Sequence, residues 1–281
     1  MPHGRYRILA LDVDGTLLDR AGQLRPRTIE AVARAAAAGM RPVLCTGRRY
    51  RRALPVAERL GLGSPLVCNS GALVKDPEGH RTLWRADLDA GLLVEILGVF
   101  EGRDEPSVSF TDRPAEEADF LVARARTGRP LFDDYLDQNR AHAGVDPAWP
   151  SRPGLAHYHL CAIGTPEAML ALEAAVVARL PGRVQTFVQK SPRYAGTMCE
   201  VLRHDASKWS ALLHLAELWG VEPAEIVAVG DDRNDVPMLR GAGLGVAMGH
   251  ADLSVRAAAD LVTGSDDDDG LAVLIEDVLL A

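Results

Sequence analysis

The composition is that of an ordinary globular chain. The protein has 281 residues, 47% of them hydrophobic and 25% charged, and 31 basic against 39 acidic residues give a net charge of −8. These figures exclude a disordered or fibrous chain. The length allows one large domain or two of moderate size, and the negative charge disfavours binding to nucleic acid or to anionic membranes.

Sequence features also predict a cytoplasmic location. No apolar run approaches the roughly 20 residues that cross a bilayer, and Asp12 comes too early to leave room for the core of a signal peptide. The four cysteines show no CxxC spacing, which favours buried thiols in a reducing compartment. No oligomeric state is indicated.

The first part of the chain alternates short apolar runs with amphipathic segments, which predicts β–α–β units around a parallel sheet. The run from Tyr6 to Val13 meets carboxylates at its end, as expected of a strand buried on both faces. A proline in the first turn and a glycine near the end mark the first helix. The predicted elements are strands at 6–13, 42–45 and 65–68 and helices at 26–40 and 49–60.

The stretch from about 73 to 198 has a different pattern, because its strand-like runs partly alternate polar with apolar residues. Such alternation indicates a sheet with one covered face. The predicted elements there are strands at 107–111, 157–163 and 184–188, helices at 90–100, 115–126 and 166–180, and a long loop at 143–154.

The end of the chain again alternates strands with helices, as the first part does. The predicted elements there are strands at 225–229 and 244–247 and helices at 208–219, 235–240 and 271–280. We therefore predict an α/β fold, in which a Rossmann-like parallel-sheet core carries an inserted α+β domain. The predicted domains are the first part of the core at 1–78, the inserted domain at 79–198, and the second part of the core at 199–281.

Three carboxylates follow strands of the predicted core. Asp12 and Asp14 end the first strand and are separated by one residue, with Gly15 forming a turn, and Asp231 follows the strand at 225–229. Open parallel sheets place ligands at the carboxyl ends of their strands. If the two strands are neighbours, the three carboxylates form an oxygen-rich site that suits Mg²⁺.

Two further segments predict a phosphate site at the same edge. Thr46 and Gly47 follow the second strand, so a hydroxyl and an amide can donate hydrogen bonds there. Lys208 opens the helix that precedes the Asp231 strand, and a cation near a helix N-terminus can bind an anion.

Four motifs in this order resemble those of the haloacid dehalogenase-like hydrolases. They are Asp-Val-Asp-Gly-Thr at 12–16, Thr46, Lys208, and Gly-Asp-Asp-x-Asn-Asp at 230–235. The insertion between the second and third motifs resembles the Cof-type subfamily, whose cap is an α/β domain at that place. One departure is Trp209, which stands where this subfamily often has glycine.

The resemblance implies a role for each motif residue. Asp12 would attack phosphorus to form an aspartyl-phosphate, and Asp14 would protonate the leaving alcohol and then deprotonate the hydrolytic water. Asp12 and Asp231 would bind Mg²⁺ with their carboxylates and Asp14 with its backbone carbonyl, while Asp235 would lie at or behind these ligands. The residues implied in binding the phosphoryl group or the rest of the substrate are Thr46, Gly47, Lys208 and Asn234.

These expectations favour a Mg²⁺-dependent phosphatase whose partner is a small-molecule phosphate ester, with a sugar phosphate ahead of a nucleotide or cofactor phosphate. A phosphomutase and a non-catalytic protein that binds phosphate ligands are the alternatives. Retention of a complete set of catalytic carboxylates disfavours the binding protein.

Several polar residues also have ordinary structural interpretations. Arg48 is expected to be structural rather than substrate-binding, and His157 and His159 are expected to pack on a strand face rather than bind a metal. Asn69 is a candidate substrate-side residue. The acidic run at 266–269 lacks the alternating ligands of a calcium loop, which favours a solvated turn and an N-cap for the last helix.

Overall fold

The computed structural model describes residues 6–112, 118–190 and 194–281 and divides the chain into two compact units. Met1–Arg85 and Ser207–Ala281 form the first unit, and Ala86–Ala206 forms the second. The domain limits expected at 78/79 and 198/199 come earlier in the chain than these. The strand Thr82–Arg85 pairs with Leu73–Lys75 inside the first unit, and Thr197–Arg203 pairs within the sheet of the second.

In chain order, the strands are β1 (Ile8–Leu11), β2 (Arg41–Leu44), β3 (Leu66–Cys68), β4 (Leu73–Lys75), β5 (Thr82–Arg85), β6 (Val108–Phe110), β7 (Phe120–Val122), β8 (Ala143–Val145), β9 (His159–Gly164), β10 (Val184–Lys190), β11 (Thr197–Arg203), β12 (Ile226–Gly230), β13 (Leu244–Ala247) and β14 (Leu261–Val262). The helices are α1 (Pro26–Ala37), α2 (Tyr50–Arg59), α3 (Ala90–Gly102), α4 (Pro130–Gln138), α5 (Pro166–Arg179), α6 (Lys208–Leu218), α7 (Val236–Gly241), α8 (Leu253–Arg256) and α9 (Gly270–Leu274). None of the helices in the described ranges has the length and apolar character needed to cross a bilayer.

The first unit is built on a parallel sheet in the order β14-β13-β12-β1-β2. All four residues of β1 are buried, which explains its uninterrupted apolar sequence. Leu212 and Leu215 of α6 belong to the same apolar cluster as Ile8 and Ala228 on the sheet. Strands β3, β4 and β5 form a separate antiparallel sheet in the same unit, and the pairing of Cys45 with Val67 joins its beginning to the end of β2.

The second unit contains a six-stranded sheet in the order β10-β11-β9-β6-β7-β8, antiparallel except for the pair β7–β8. Helices α3 and α5 contribute Leu93, Ile96 and Leu172 to an apolar cluster that includes Leu160 of β9 and Val201 of β11. A parallel-sheet unit interrupted by an α+β unit is the expected fold class, which is confirmed.

Two details of the second unit differ from the prediction. The prediction of a helix at 115–126 is wrong for residues 118–126, because Phe120–Val122 forms β7 and pairs with both β6 and β8. Residues 113–117 lie outside the described residues. The loop predicted at 143–154 contains β8 and a short 3-10 turn, Trp149–Ser151. In both places sheet pairing outweighs the local sequence preference.

Candidate active site

The expected site lies at the carboxyl edge of the parallel sheet of the first unit. Strands β12, β1 and β2 are consecutive neighbours in that sheet, and Asp231, Asp12 and Cys45–Thr46 follow them directly. Three adjacent strands therefore end at the same edge of the sheet, and a polar side chain follows the end of each strand. This edge is where ligands bind in open α/β sheets.

Lys208 lies at the centre of the site, with its side chain 1% exposed. Its Nζ donates hydrogen bonds to Asp12 Oδ1 and Asp235 Oδ1, each 2.6 Å away. Burial alone would lower the pKa of this amine, but the two carboxylates outweigh it and raise the pKa well above its usual value. The lysine is therefore a permanent cation, placed by the capped N-terminus of α6, where Ser207 and Ser210 form reciprocal hydrogen bonds.

Asp235 organises the loop that carries Asp231. Its Oδ2 accepts hydrogen bonds from the backbone N–H groups of Asp231 and Asp232, both at 3.1 Å, while Oδ1 binds Lys208. The fully buried Asp235 carboxylate thus accepts three hydrogen bonds, which hold both the loop of Asp231 and the Lys208 side chain in place. Asp235 is thus placed mainly to orient its neighbours, although one of its oxygens also belongs to the carboxylate cluster.

The carboxylates of Asp12, Asp231 and Asp235 form a cluster that fits Mg²⁺. Each offers one oxygen, and these oxygens lie within 4.8 Å of one another. Three carboxylates against the single ammonium of Lys208 leave two negative charges in a mostly buried place. Burial, together with this excess charge, raises the pKa of both Asp12 and Asp231. A divalent cation with a preference for oxygen ligands would balance the charge.

Asp14 does not belong to this cluster and pairs with Arg48. The guanidinium donates from Nε to Oδ2 and from Nη2 to Oδ1 of the carboxylate, at 2.6 and 2.5 Å. The Arg48 side chain is 9% exposed and that of Asp14 31%, so the pair lies at the mouth of the site. Among the described residues, the Asp14 carboxylate is not a member of the metal-binding group, which leaves its backbone carbonyl as the expected ligand.

The segment Asn69–Gly71 connects the elements that were predicted to bind phosphate. The backbone N–H of Ser70 donates to the carbonyl of Thr46 at 3.1 Å, and that of Asn69 to the carbonyl of Arg48 at 2.9 Å. All three residues have positive φ, and a Cβ on Gly71 would lie 2.0 Å from the backbone of Ser207. Such a backbone is sparsely populated for Asn and Ser and is typical of functional sites.

The remaining predicted residues are also brought to this edge. Asn234 is 3% exposed, and its Nδ2 lies 3.4 Å from Ser70 Oγ; its Oδ1 accepts no hydrogen bond from the described residues. Thr46 is 1% exposed and its Oγ1 accepts the N–H of Arg48 across Gly47. Trp209, the bulky residue after Lys208, is partly buried and packs against the apolar cluster of the first unit.

Sequence reasoning undervalued two residues, Arg48 and His250. Arg48 was expected to be structural, yet it contacts Asp14 directly. His250 follows β13, and its ring lies 3.5 Å from Asp231 and 3.1 Å from Asp266. Contact with Asp231, more than with Asp266, raises the pKa of His250. A polar residue three positions after an apolar strand of this sheet is the signal that could have identified it.

The acidic run at 266–269 differs in part from the expected solvated turn. Asp267 and Asp268 are exposed, but Asp266 is 6% exposed. Asp269 does precede α9 in the N-cap position, without a hydrogen bond from its side chain to the helix. Only the folded structure distinguishes the buried acid from its neighbours.

His157 and His159 are buried in the second unit, but only His159 lies on a strand, since β9 begins there and His157 precedes it. Ser109 Oγ lies 2.6 Å from His157 Nδ1, and the ring of His159 stacks on Phe110 at 4.6 Å. Burial lowers the pKa of His157 to about 4 and that of His159 to about 3. Neither belongs to a metal-binding group in the described part of the chain.

Comparisons with known proteins agree with this geometry. The family profile of haloacid dehalogenase-like hydrolases matches residues 9–275. The pyridoxal phosphate phosphatase YbhA of Escherichia coli is 28% identical over 277 residues, covering 96% of this chain and 97% of its own. The HMP-PP phosphatase of Serratia proteamaculans is 30% identical over 251 residues, covering 88% and 85%. A solved structure of a haloacid dehalogenase-like hydrolase from B. subtilis superposes with a TM-score of 0.79 at 25% identity, covering 97% of this chain and 100% of that one.

Proposed function

The chain belongs to the haloacid dehalogenase-like hydrolase family, and we propose that it hydrolyses a small phosphate ester with Mg²⁺ through an aspartyl-phosphate on Asp12. Family membership confirms the resemblance drawn from the four motifs and the expected enzyme class, a phosphoric monoester hydrolase. The observation that carries the proposal is the buried group of Asp12, Lys208, Asp235 and Asp231 at the edge of the sheet.

In the first step, a carboxylate oxygen of Asp12 attacks phosphorus, and the bond from phosphorus to the ester oxygen breaks. Lys208 fixes the orientation of Asp12 and keeps a positive charge beside the attacking carboxylate and the phosphoryl group. Thr46 and the amide of Gly47 follow the neighbouring strand and donate hydrogen bonds to the phosphoryl oxygens. The products of this step are the alcohol and the aspartyl-phosphate.

Asp14 moves the proton in both steps. It gives a proton to the departing ester oxygen and later removes one from the water that attacks the aspartyl-phosphate, which releases inorganic phosphate and restores Asp12. In the structure, Arg48 donates hydrogen bonds to both oxygens of Asp14, an arrangement that orients the carboxylate. Arg48 is therefore a positioning residue in this proposal, not only a structural one.

The residues proposed to bind Mg²⁺ are Asp12 and Asp231 through their carboxylates and Asp14 through its carbonyl, with Asp235 supporting the loop. When bound, Mg²⁺ supplies positive charge that neutralises the transferring phosphoryl group. The convergence of one oxygen from each of Asp12, Asp231 and Asp235 within 4.8 Å of one another supports this assignment. A cytoplasmic location, and the absence of nucleic-acid and membrane partners, remain predictions from the sequence.

The substrate proposed is a small phosphorylated metabolite. The sequence favoured a sugar phosphate, whereas the relatives include a pyridoxal phosphate phosphatase, which supports adding cofactor phosphates to the first choices. The two curated relatives described above are phosphatases, which favours hydrolysis over the phosphomutase and the non-catalytic binding protein.

The test is release of inorganic phosphate from a panel of sugar, cofactor and nucleotide phosphates, with Mg²⁺ or with EDTA. Asp12→Asn is expected to lower kcat by at least about 10³-fold, as loss of a nucleophile does. Asp267→Asn is the matched control, because it makes the same change at an acid whose side chain is 47% exposed. Equal activity of Asp12→Asn and the control would refute the proposal.

A further inference from the structure

His250 links the carboxylate of Asp231 to a second buried acid, Asp266. Its Nε2 lies 3.5 Å from Asp231 Oδ2, and its Nδ1 lies 3.1 Å from Asp266 Oδ1. The three residues follow β12, β13 and β14, which are consecutive strands of the sheet. The backbone also ties these loops together, since Met248 N–H donates to the Gly230 carbonyl and Gly249 N–H to the Gly264 carbonyl, both at 3.0 Å.

The Asp231 carboxylate is contacted from three sides. Thr16 Oγ1 donates to Oδ1 at 3.1 Å, and His250 faces Oδ2. Gly15 packs behind the same oxygen so closely that a Cβ there would lie 2.3 Å from Oδ2. The orientation of this carboxylate thus depends on contacts from two other loops, one that carries Gly15 and Thr16 and one that carries His250.

Asp266 is placed to orient the His250 ring. Its side chain is 2% exposed, although the neighbouring Asp267 and Asp268 are exposed. Its Oδ1 accepts no well-aligned hydrogen bond from the described residues and lies against the imidazole, while the backbone N–H of Asp266 donates a long hydrogen bond of 3.5 Å to Nδ1 of the same ring. Asp266 therefore contacts the Nδ1 side of the ring, and the Nε2 side faces Asp231.

We propose that His250 and Asp266 are positioning residues: Asp266 orients the imidazole, and the imidazole orients the Asp231 carboxylate for Mg²⁺. The inference rests on the proposed function, because it assigns Asp231 as a metal ligand. Partners that lie behind metal ligands fix the direction of the ligand, and their loss typically weakens metal binding by about 10- to 100-fold.

The test is Mg²⁺ binding to metal-free protein, measured by isothermal titration calorimetry without substrate. His250→Leu is expected to raise the Kd for Mg²⁺ by about 10- to 100-fold. His250→Gln keeps an N–H donor near Asp231 and is expected to recover part of this loss. Asp266→Asn is expected to weaken binding in the wild-type background but to add nothing in the His250→Leu background, because both changes break one chain of contacts.

Asp267→Asn is the control, with a Kd equal to that of the wild type. Thermal unfolding of each metal-free variant shows whether that variant is folded. If His250→Leu is not folded, the Mg²⁺ affinities of Asp266→Asn and His250→Gln test the inference in its place. Equal Kd values for folded His250→Leu, Asp266→Asn and wild type would overturn the inference while leaving the proposed function intact. A wild type that binds no Mg²⁺ would instead overturn the proposed function and the inference with it.

Discussion

Replacing Lys208 with methionine removes the ammonium that lies among the carboxylates of Asp12, Asp231 and Asp235. The side chain makes two hydrogen bonds of 2.6 Å to charged partners, and 1% of it is exposed, so solvent does not compensate for the loss. Removal of one partner from a buried ion pair typically costs about 3–5 kcal/mol. We expect Lys208→Met to lower the free energy of unfolding of the metal-free protein by this amount and to abolish phosphate release.

The assay is urea unfolding followed by circular dichroism, with Lys190→Met as the matched control. Lys190 ends β10 and is exposed, so its replacement is expected to change the unfolding free energy by no more than about 0.5 kcal/mol. Adding Asp235→Asn to Lys208→Met removes one of the carboxylates left without a partner and is expected to restore part of the stability. If Lys208→Met were no less stable than the control, the reasoning about the buried charges would be refuted.

Three further predictions concern the backbone at the site, the second unit, and Arg48. Gly71→Ala should lower the free energy of unfolding by at least about 3 kcal/mol and abolish activity, because the new Cβ would overlap the backbone that precedes α6. Gly61→Ala is the control: Gly61 also has a positive φ but lies in open space, so the change should cost about 1–2 kcal/mol. Similar urea midpoints for the two variants would contradict this. Burial lowers the pKa of His159 to about 3 in the folded chain, so below about pH 6.5 this side chain binds a proton only in the unfolded chain. From pH 7 to pH 5, the free energy of unfolding should therefore fall by about 2 kcal/mol more in the wild type than in His159→Gln. Parallel urea midpoints of the two proteins over this range would rule that out. Arg48→Met should lower kcat about 10- to 100-fold, because Asp14 loses the contact that orients it; unchanged steady-state kinetics would make Arg48 merely structural.

The core of the site could be predicted because its chemistry is local in the sequence. Asp12, Thr46 and Asp231 each follow an apolar run, and the rule that ligands bind at the carboxyl ends of parallel strands places them at one edge of the sheet. That they lie close together depends on the strand order β12-β1-β2, which the structure supplies. Lys208 could be placed because it opens a helix. What the sequence could not indicate is that one lysine would bind both Asp12 and Asp235.

The parts that were missed depend on long-range packing. Phe120–Val122 is a strand because β6 and β8 lie on either side of it, and its own sequence is equally compatible with a helix. Four consecutive acids look alike in a sequence, but the fold turns Asp266 towards His250 and leaves Asp267 in solvent. Arg48 was undervalued because its contact with Asp14 spans two loops that are 34 positions apart in the chain.

The most direct test of the central claim is to locate the phosphorylated residue. The enzyme is mixed with a good substrate and Mg²⁺, quenched in acid during turnover and reduced with borohydride, which converts an aspartyl-phosphate to homoserine, and the peptides are read by mass spectrometry. We expect homoserine at position 12, and none there in Asp12→Asn. Homoserine at another aspartate, or turnover with no modified residue, would contradict the assignment of Asp12 as the nucleophile.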